Sequence, residues 1–214
     1  ELQGKSSSQK VLKDARGRLI ERPEDESGAS NGNNLILTID RTIQYITDNS
    51  LKAAVTQYNA KSGIAVVMDP KTGAILALSH YPTFNPNNYK SYDKSLWRNR
   101  AITDPFEPGS TMKIFLAAAA FESGVVKPET KFNCENGKYR VGSFIIHDTH
   151  SYGELTVEEI IKYSSNIGSV KISEAIGKEA LYKTLKNFSV GEKTGIDCPG
   201  ETSGRLANQS KWTK

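Results

Sequence analysis

Glu107-Pro108-Gly109-Ser110-Thr111-Met112-Lys113 leads straight into the apolar run Ile114-Phe115-Leu116-Ala117-Ala118-Ala119-Ala120-Phe121. Pro108-Gly109 breaks the preceding chain, and Ser110 opens a strongly helical segment that ends at Gly124. Ser110 and Lys113 stand three apart, so on a helix their side chains share a face, about 5–6 Å apart at Cβ. A helix start leaves backbone N–H groups unpaired and the positive end of the dipole pointing outward. A serine, an amine beside it and a terminus that favours anions are the parts of an acyl-transfer site.

Ser-x-x-Lys alone is a weak signal, and the chain contains it three times, at Ser7–Lys10, Ser91–Lys94 and Ser110–Lys113. For any one of them a capping serine beside a solvated lysine is the default. Context separates them: Ser7–Lys10 lies in a polar run, Ser91–Lys94 in a Tyr/Asn/Lys/Asp loop, and only Ser110–Lys113 has a chain break before it and a buried-type helix behind it.

Working outward, 214 residues with 37% hydrophobic content suit a packed core of one domain, or one and a half. The net charge of +4 is spread along the chain, with no basic stripe interleaved with aromatics, so no nucleic-acid partner is expected. The longest apolar run, Ile114–Phe121, is far short of the about 20 residues of a membrane span. No signal peptide is visible, and a chain that starts at Glu1 reads as a fragment or processed product. Cys134 and Cys198 are too few for a disulfide scaffold and are expected as two free thiols. His147-x-x-His150 sits in a polar loop where hydrogen bonding outweighs a metal site; neither a metal nor a cofactor is expected.

Residues 1–34 are polar and rich in Gly, Ser and Asn, with a short hairpin around Lys13–Ile20 and a linker over Glu21–Asn34. Order begins at Leu35–Ile39, a strand by its β-branched content. Asp40 caps a helix whose apolar residues Ile43, Ile46, Leu51, Ala54, Val55 and Tyr58 recur on one face to about residue 60. Ile64–Met68 and Ala74–Leu78 form a hairpin across Asp69–Gly73. Residues 79–105, with four Asn, three Pro and several aromatics, read as a long functional or covering loop. Short strands and loops follow over 130–150. Thr156 and Glu159 make a capping box for a helix to about Tyr163, and further helices cover roughly Ile167–Ile176 and Glu179–Asn187. The tail from Val190 is loop-like.

Ser164-Ser165-Asn166, the single Ser-x-Asn in the chain, falls at a junction between two helices, where polar side chains can project into a cleft. A helix cap is its default reading; beside a Ser-x-x-Lys at a strong helix start it becomes informative. Ser-x-x-Lys with Ser-x-Asn and Lys-Thr-Gly is the motif set of penicillin-binding proteins and serine β-lactamases. Arg98–Asp104 running into Phe106–Lys113 resembles a class B penicillin-binding protein of the cell-division (FtsI) type. Asp14–Arg18, Asp69–Ala77, Tyr163–Asn166 and Thr194-Gly195-Ile196-Asp197-x-Pro199-Gly200-Glu201 are similar to the same family. Lys-Thr-Gly occurs at Lys71–Gly73 and Lys193–Gly195; the first is a hairpin tip and the second lies in a Gly/Pro-rich loop, so neither is taken as catalytic. In the family the catalytic tripeptide lies on an edge strand further downstream, so the chain reads as a transpeptidase domain cut short before it.

The resemblance implies an α/β (α+β) penicillin-recognising fold, an antiparallel sheet flanked by helices and incomplete here; hydrophobic pattern alone supports only mixed α and β. Residues 1–34 would end the family's non-catalytic region, and 35–214 would be a partial transpeptidase domain. The implied activity is DD-transpeptidation of peptidoglycan stem peptides ending in D-Ala-D-Ala, with β-lactams acylating the same serine. Ser110 would attack, Lys113 would act as base, Ser164 would relay a proton, and Asn166 would orient Lys113 and hold the substrate amide. The Ser110 N–H would give half of an oxyanion hole. An unperturbed lysine, pKa about 10.4, is only about 0.04% neutral at pH 7, so Lys113 either loses its charge through burial and the helix terminus or stays charged and shuttles protons with Ser164. Asp148, His150 and Tyr152 are polar residues between the motifs, weighted toward loop hydrogen bonding over lining the cleft. The family also implies a membrane anchor, a catalytic domain outside the cytoplasmic membrane, and division-complex partners including a glycan polymerase. A serine β-lactamase, a β-lactam sensor and a folded interaction module remain as alternatives.

Overall fold

Asp40 starts the first long helix as its position predicts. Its carboxylate accepts the N–H groups of Thr42 and Ile43, and helix α1 runs Arg41–Gln57. The computed structural model describes residues 2–6, 11–21 and 31–212, and the chain divides into two compact units, Glu1–Thr83 and Phe84–Lys214. Ser7–Lys10 and most of the expected linker, 22–30, lie outside the described residues.

In the first unit the expected hairpin is present: β1 (Leu12–Lys13) pairs antiparallel with β2 (Leu19–Glu21). Asp14 closes it by accepting the N–H groups of Arg16 and Arg18. β3 (Gly63–Met68) and β4 (Ile75–Tyr81) form the second hairpin, in register from Gly63↔Tyr81, with Asp69 bonding Lys71 N–H and Thr72 Oγ1 in the turn. Helix α1 is clasped to β4 by polar side chains: Gln44 bonds the Leu78 N–H at 2.9 Å, and Ser79 Oγ donates to Asp48 at 2.5 Å.

Leu35–Ile39, expected as a strand, does not form one. Thr38 Oγ1 donates to Ile75 O and Asp40 N–H to Leu76 O, but Leu35, Ile36 and Leu37 remain exposed. β-branched content favours an extended backbone; a strand also needs a ladder and a buried face, and this segment has neither.

In the second unit the expected long loop begins late, because β4 of the first unit continues to Tyr81, and it is broken by short turns. Two 3₁₀ turns, Pro86–Ser91 and Lys94–Leu96, and helix α2 (Arg100–Thr103) are each opened by an Asn or Asp. Asn85, Asp93 and Asn99 each accept the N–H two residues on, a local bond that substitutes for a backbone turn. A 3₁₀ turn, Gly109–Thr111, then leads into α3 (Met112–Glu122).

Four short strands follow: β5 (Lys131–Asn133), β6 (Lys138–Val141), β7 (Phe144–His147) and β8 (Glu154–Thr156). β5 pairs with β8 and β6 with β7, both antiparallel. Helix α4 (Val157–Tyr163) begins with the predicted capping box, the Thr156 hydroxyl taking Glu159 N–H while the Glu159 carboxylate takes Thr156 N–H. Helix α5 (Asn166–Asn187) carries a non-helical Gly177, φ 78° and ψ 158°, at the point where two separate helices were expected to meet. Among the described residues no helix is long and apolar enough to cross a membrane.

Leu116 and Ala120 of α3, Val157 and Ile160 of α4, and Ile167 and Ile172 of α5 make one core with Cys134 and Leu155. Each fully buried isoleucine contributes about 1.5–3 kcal/mol. The α4–α5 approach is set by Gly168, where an added Cβ would stand 2.5 Å from Ile160 Cγ1 and 2.7 Å from its Cδ1. Gly168→Ala is therefore expected to destabilise. Overpacking costs about 1–3 kcal/mol and outweighs a helix-propensity gain of roughly 1 kcal/mol or less. The check is a lower urea midpoint at unchanged slope; a midpoint at or above the parent's would contradict the close approach.

Candidate active site

The turn that presents Ser110 is built by its neighbours. Gly109 has φ 58°, a left-handed backbone, and a Cβ there would meet nothing, so the glycine serves conformation rather than space. Thr111 Oγ1 closes the turn on the Pro108 carbonyl. Ser110 thus stands in the 3₁₀ turn just ahead of α3 rather than in the α-helix itself, and no side chain caps the backbone N–H groups there. Lys113 projects from the first turn of α3.

The second motif arrives from the α4–α5 junction. Ser164 ends α4 in the left-handed region, φ 58° and ψ 40°, uncommon for a residue with a Cβ. Ser165, almost fully buried, caps α5 by accepting Gly168 N–H at 2.9 Å. One residue of reversed backbone followed by a buried cap leaves Ser164 and Asn166 both exposed and both within reach of Lys113.

Lys113 Nζ is the hub. It donates to the Ser164 carbonyl at 2.6 Å, to Ser164 Oγ at 2.9 Å and to Asn166 Oδ1 at 2.8 Å. Ser164 Oγ lies 3.0 Å from Ser110 Oγ. The four residues singled out in the sequence are thus brought into one hydrogen-bonded group. Burial pulls the Lys113 pKa below that of an ordinary lysine, and the negative charge of Asp148 pulls partly the other way. Beside the group runs an apolar groove of about 280 Å³, lined by Gly109, Met112, Leu116, Ser169 and Leu185 among others.

Behind it lies a brace that sequence reasoning did not assign. Asp148, just past β7, takes the Ser165 hydroxyl on Oδ2 at 2.6 Å and the N–H groups of Asn166 and Ile167 on Oδ1. Asn166 Nδ2 donates to the His147 carbonyl at 2.9 Å, which fixes which end of its amide faces Lys113. Ser165 also lies 3.5 Å from the buried thiol of Cys134, whose pKa burial pushes up. No local pattern marks Asp148 as a cap for a helix that starts well downstream of it. His150 packs edge-on against Tyr152, which stacks on Tyr163 at 5.7 Å.

The other motif copies are placed elsewhere. Ser91 Oγ bonds the Asn88 carbonyl, in a different turn from Lys94. Lys71–Gly73 is the β3–β4 turn, and Lys193–Gly195 lies in a loop held by the Glu201 carboxylate, which accepts the N–H groups of Thr194 and Gly195. Both cysteines are free thiols, and among the described residues no group of three His, Cys, Asp or Glu is placed to hold a metal ion.

The family model for the penicillin binding protein transpeptidase domain matches residues 63–214. A probable peptidoglycan D,D-transpeptidase PenA of Neisseria flavescens is 37% identical over 100% of this chain and 53% of its own length. The peptidoglycan D,D-transpeptidase FtsI of Escherichia coli K12 is 36% identical over 99% of this chain and 36% of its own length. The chain thus spans about half or less of the curated relatives it matches. Among solved structures, the transpeptidase domain of Burkholderia pseudomallei penicillin-binding protein 3 superposes with a TM-score of 0.74 at 36% identity, covering 86% of this chain and 51% of that one. A peptidoglycan glycosyltransferase from Burkholderia ambifaria gives the same TM-score at 38% identity, covering 83% of this chain and 52% of that one. With a domain match over most of its length and relatives above one-third identity from end to end, this chain belongs to the penicillin-binding protein transpeptidase family and shares its mixed α/β fold.

Proposed function

We propose that the protein is a serine DD-transpeptidase that cross-links peptidoglycan stem peptides ending in D-Ala-D-Ala, and that β-lactams acylate the same serine. The observation that carries this is the continuous hydrogen-bonded path Ser110 Oγ–Ser164 Oγ–Lys113 Nζ–Asn166 Oδ1 in an exposed setting. Ser110 attacks the penultimate D-Ala carbonyl and its proton leaves through Ser164 toward Lys113. The tetrahedral oxyanion meets the Ser110 N–H at the uncapped helix start. The acyl-enzyme forms as the terminal D-Ala leaves with a proton returned through Ser164, and an amine of a second stem peptide resolves it. Asn166 orients Lys113 and holds the substrate amide.

Within the whole protein we assign residues 1–34 to the end of a non-catalytic region and 35–214 to part of the transpeptidase domain. By its likeness to FtsI the setting is septal wall synthesis, with the catalytic domain on the outer side of the cytoplasmic membrane and division-complex partners that include a glycan polymerase.

A hydrolytic β-lactamase needs a base for a deacylating water. Asp148, whose charge acts on Lys113, has both oxygens committed to Ser165, Asn166 and Ile167, which favours a long-lived acyl-enzyme. Incubation with benzylpenicillin is expected to add one penicilloyl mass per chain, mapped by peptide mass spectrometry to the peptide containing Ser110 and persisting after removal of free drug. An adduct on another residue would overturn the assignment of Ser110. Rapid loss of the adduct would favour the β-lactamase.

A further inference from the structure

We propose that Asp148 is the positioning residue of this site: its carboxylate holds Ser164 and Asn166 at Lys113 by gripping the start of α5. The proposal rests on the acyl-transfer reading above and adds to it a residue outside the three family motifs.

The geometry has two parts. The first is mechanical. Asp148 Oδ1 receives the N–H groups of Asn166 and Ile167, and Oδ2 receives the hydroxyl of Ser165. These are the two residues after Ser164 and the next one on, so one carboxylate from the β7 side fixes the backbone at the point where the chain leaves α4 and enters α5. Ser165 cannot do this alone, because its own cap bond is made to Gly168. The Asn166 side chain is held from the same direction by the His147 carbonyl. With the backbone at 165–167 fixed, the Ser164 hydroxyl, the Ser164 carbonyl and Asn166 Oδ1 all reach Nζ.

The second part is electrostatic. Asp148 is the charge that acts on Lys113 and works against the desolvation of its ammonium. The thiol of Cys134 also feels Asp148, together with Lys171 of α5, and His147 adjoins it in the chain. A negative charge favours the charged form of a nearby lysine. Removing it therefore lowers the Lys113 pKa further and moves the alkaline rise of acylation to lower pH.

Two variants separate the parts. Asp148→Asn keeps an oxygen for the two N–H groups and an amide for Ser165 but loses the charge. Asp148→Ala loses both. Second-order acylation by a fluorescent penicillin is measured from pH 6 to 10, with circular dichroism and the urea midpoint as controls for folding. The Asn variant is expected to keep the high-pH rate within about fivefold while its rising limb shifts to lower pH; the Ala variant is expected to lose at least tenfold at every pH. A purely structural role would lower the labelled fraction in both without moving the midpoint of the limb. Rates and midpoints equal to the parent's in the Asn variant overturn the electrostatic part, and an Ala variant that is folded and as fast as the parent overturns the mechanical part. If the parent is not acylated at Ser110, the acyl-transfer reading fails and this proposal falls with it; if the parent is acylated and the variants match it, only this proposal fails.

Discussion

Ser110→Ala is expected to take up no penicillin under conditions that label the parent chain to one adduct per molecule, with an unchanged urea midpoint. The result discriminates, because a second hydroxyl stands close by. Ser164 Oγ is 3.0 Å from Ser110 Oγ and is itself hydrogen-bonded to Lys113. Two features separate the serines. Ser110 precedes α3 in a turn with no side-chain cap, so negative charge developing on an acylating carbonyl meets the Ser110 N–H and the positive end of an eleven-residue helix. Ser164 sits at the C-terminal end of α4, whose dipole opposes the same charge, and the start of α5 beyond it is already taken by Ser165 and the Asp148 carboxylate. Its left-handed backbone also turns its own carbonyl onto Lys113, so Ser164 is tied at two atoms while Ser110 is tied at one. The attacking group must move toward its electrophile, and the less tethered one can. Ser110 is exposed and makes a single side-chain bond, so its removal should change stability by no more than about 0.5 kcal/mol. Stoichiometric labelling of the alanine variant, with the adduct on Ser164, would exchange the roles of the two serines.

What could be read from the sequence follows the range of the forces involved. The capping box at Thr156–Glu159, the Asp40 cap and the Asp69–Gly73 turn are bonds between residues within four positions of each other, and each is where its pattern puts it. Gly177 interrupts α5 where the helical pattern lapses. Leu35–Ile39 failed as a strand because a ladder depends on a partner that local composition does not specify. The site divides the same way. Ser110 and Lys113 are linked by helical spacing, and Ser164–Asn166 by a helix junction. The Asp148 brace joins residues 17 to 19 positions apart through a carboxylate and backbone N–H groups. Backbone donors leave no residue type to recognise, so only the folded chain reveals it.

Lys113→Ala is expected to slow acylation of Ser110 by about 10²–10⁴-fold, the range for loss of a positioned general base, and toward the upper end because the same nitrogen also anchors Ser164 and Asn166. The partners of Nζ determine which path a proton can take. All three of its N–H groups are occupied, as suits an ammonium. To act as a base it must lose one proton and accept another, which means reversing one of those bonds. The Ser164 carbonyl and Asn166 Oδ1 can only accept. Ser164 Oγ alone among the three can donate in return, and it is the atom that touches Ser110. The path from Ser110 to Lys113 therefore runs through Ser164, and it opens as Lys113 loses its charge. Because burial holds the Lys113 pKa below the ordinary value, the neutral fraction at neutral pH is larger than in a solvated lysine. The acylation rate should rise with pH along a limb centred below that ordinary value. Lys113→Arg tests base against tether, since a guanidinium can occupy the acceptors but does not deprotonate in this range. It is expected to be as slow as the alanine variant and to lose the rising limb. An arginine variant within tenfold of the parent at pH 7 would instead make the cation itself the working state, with Ser164 as the group that takes the proton of Ser110.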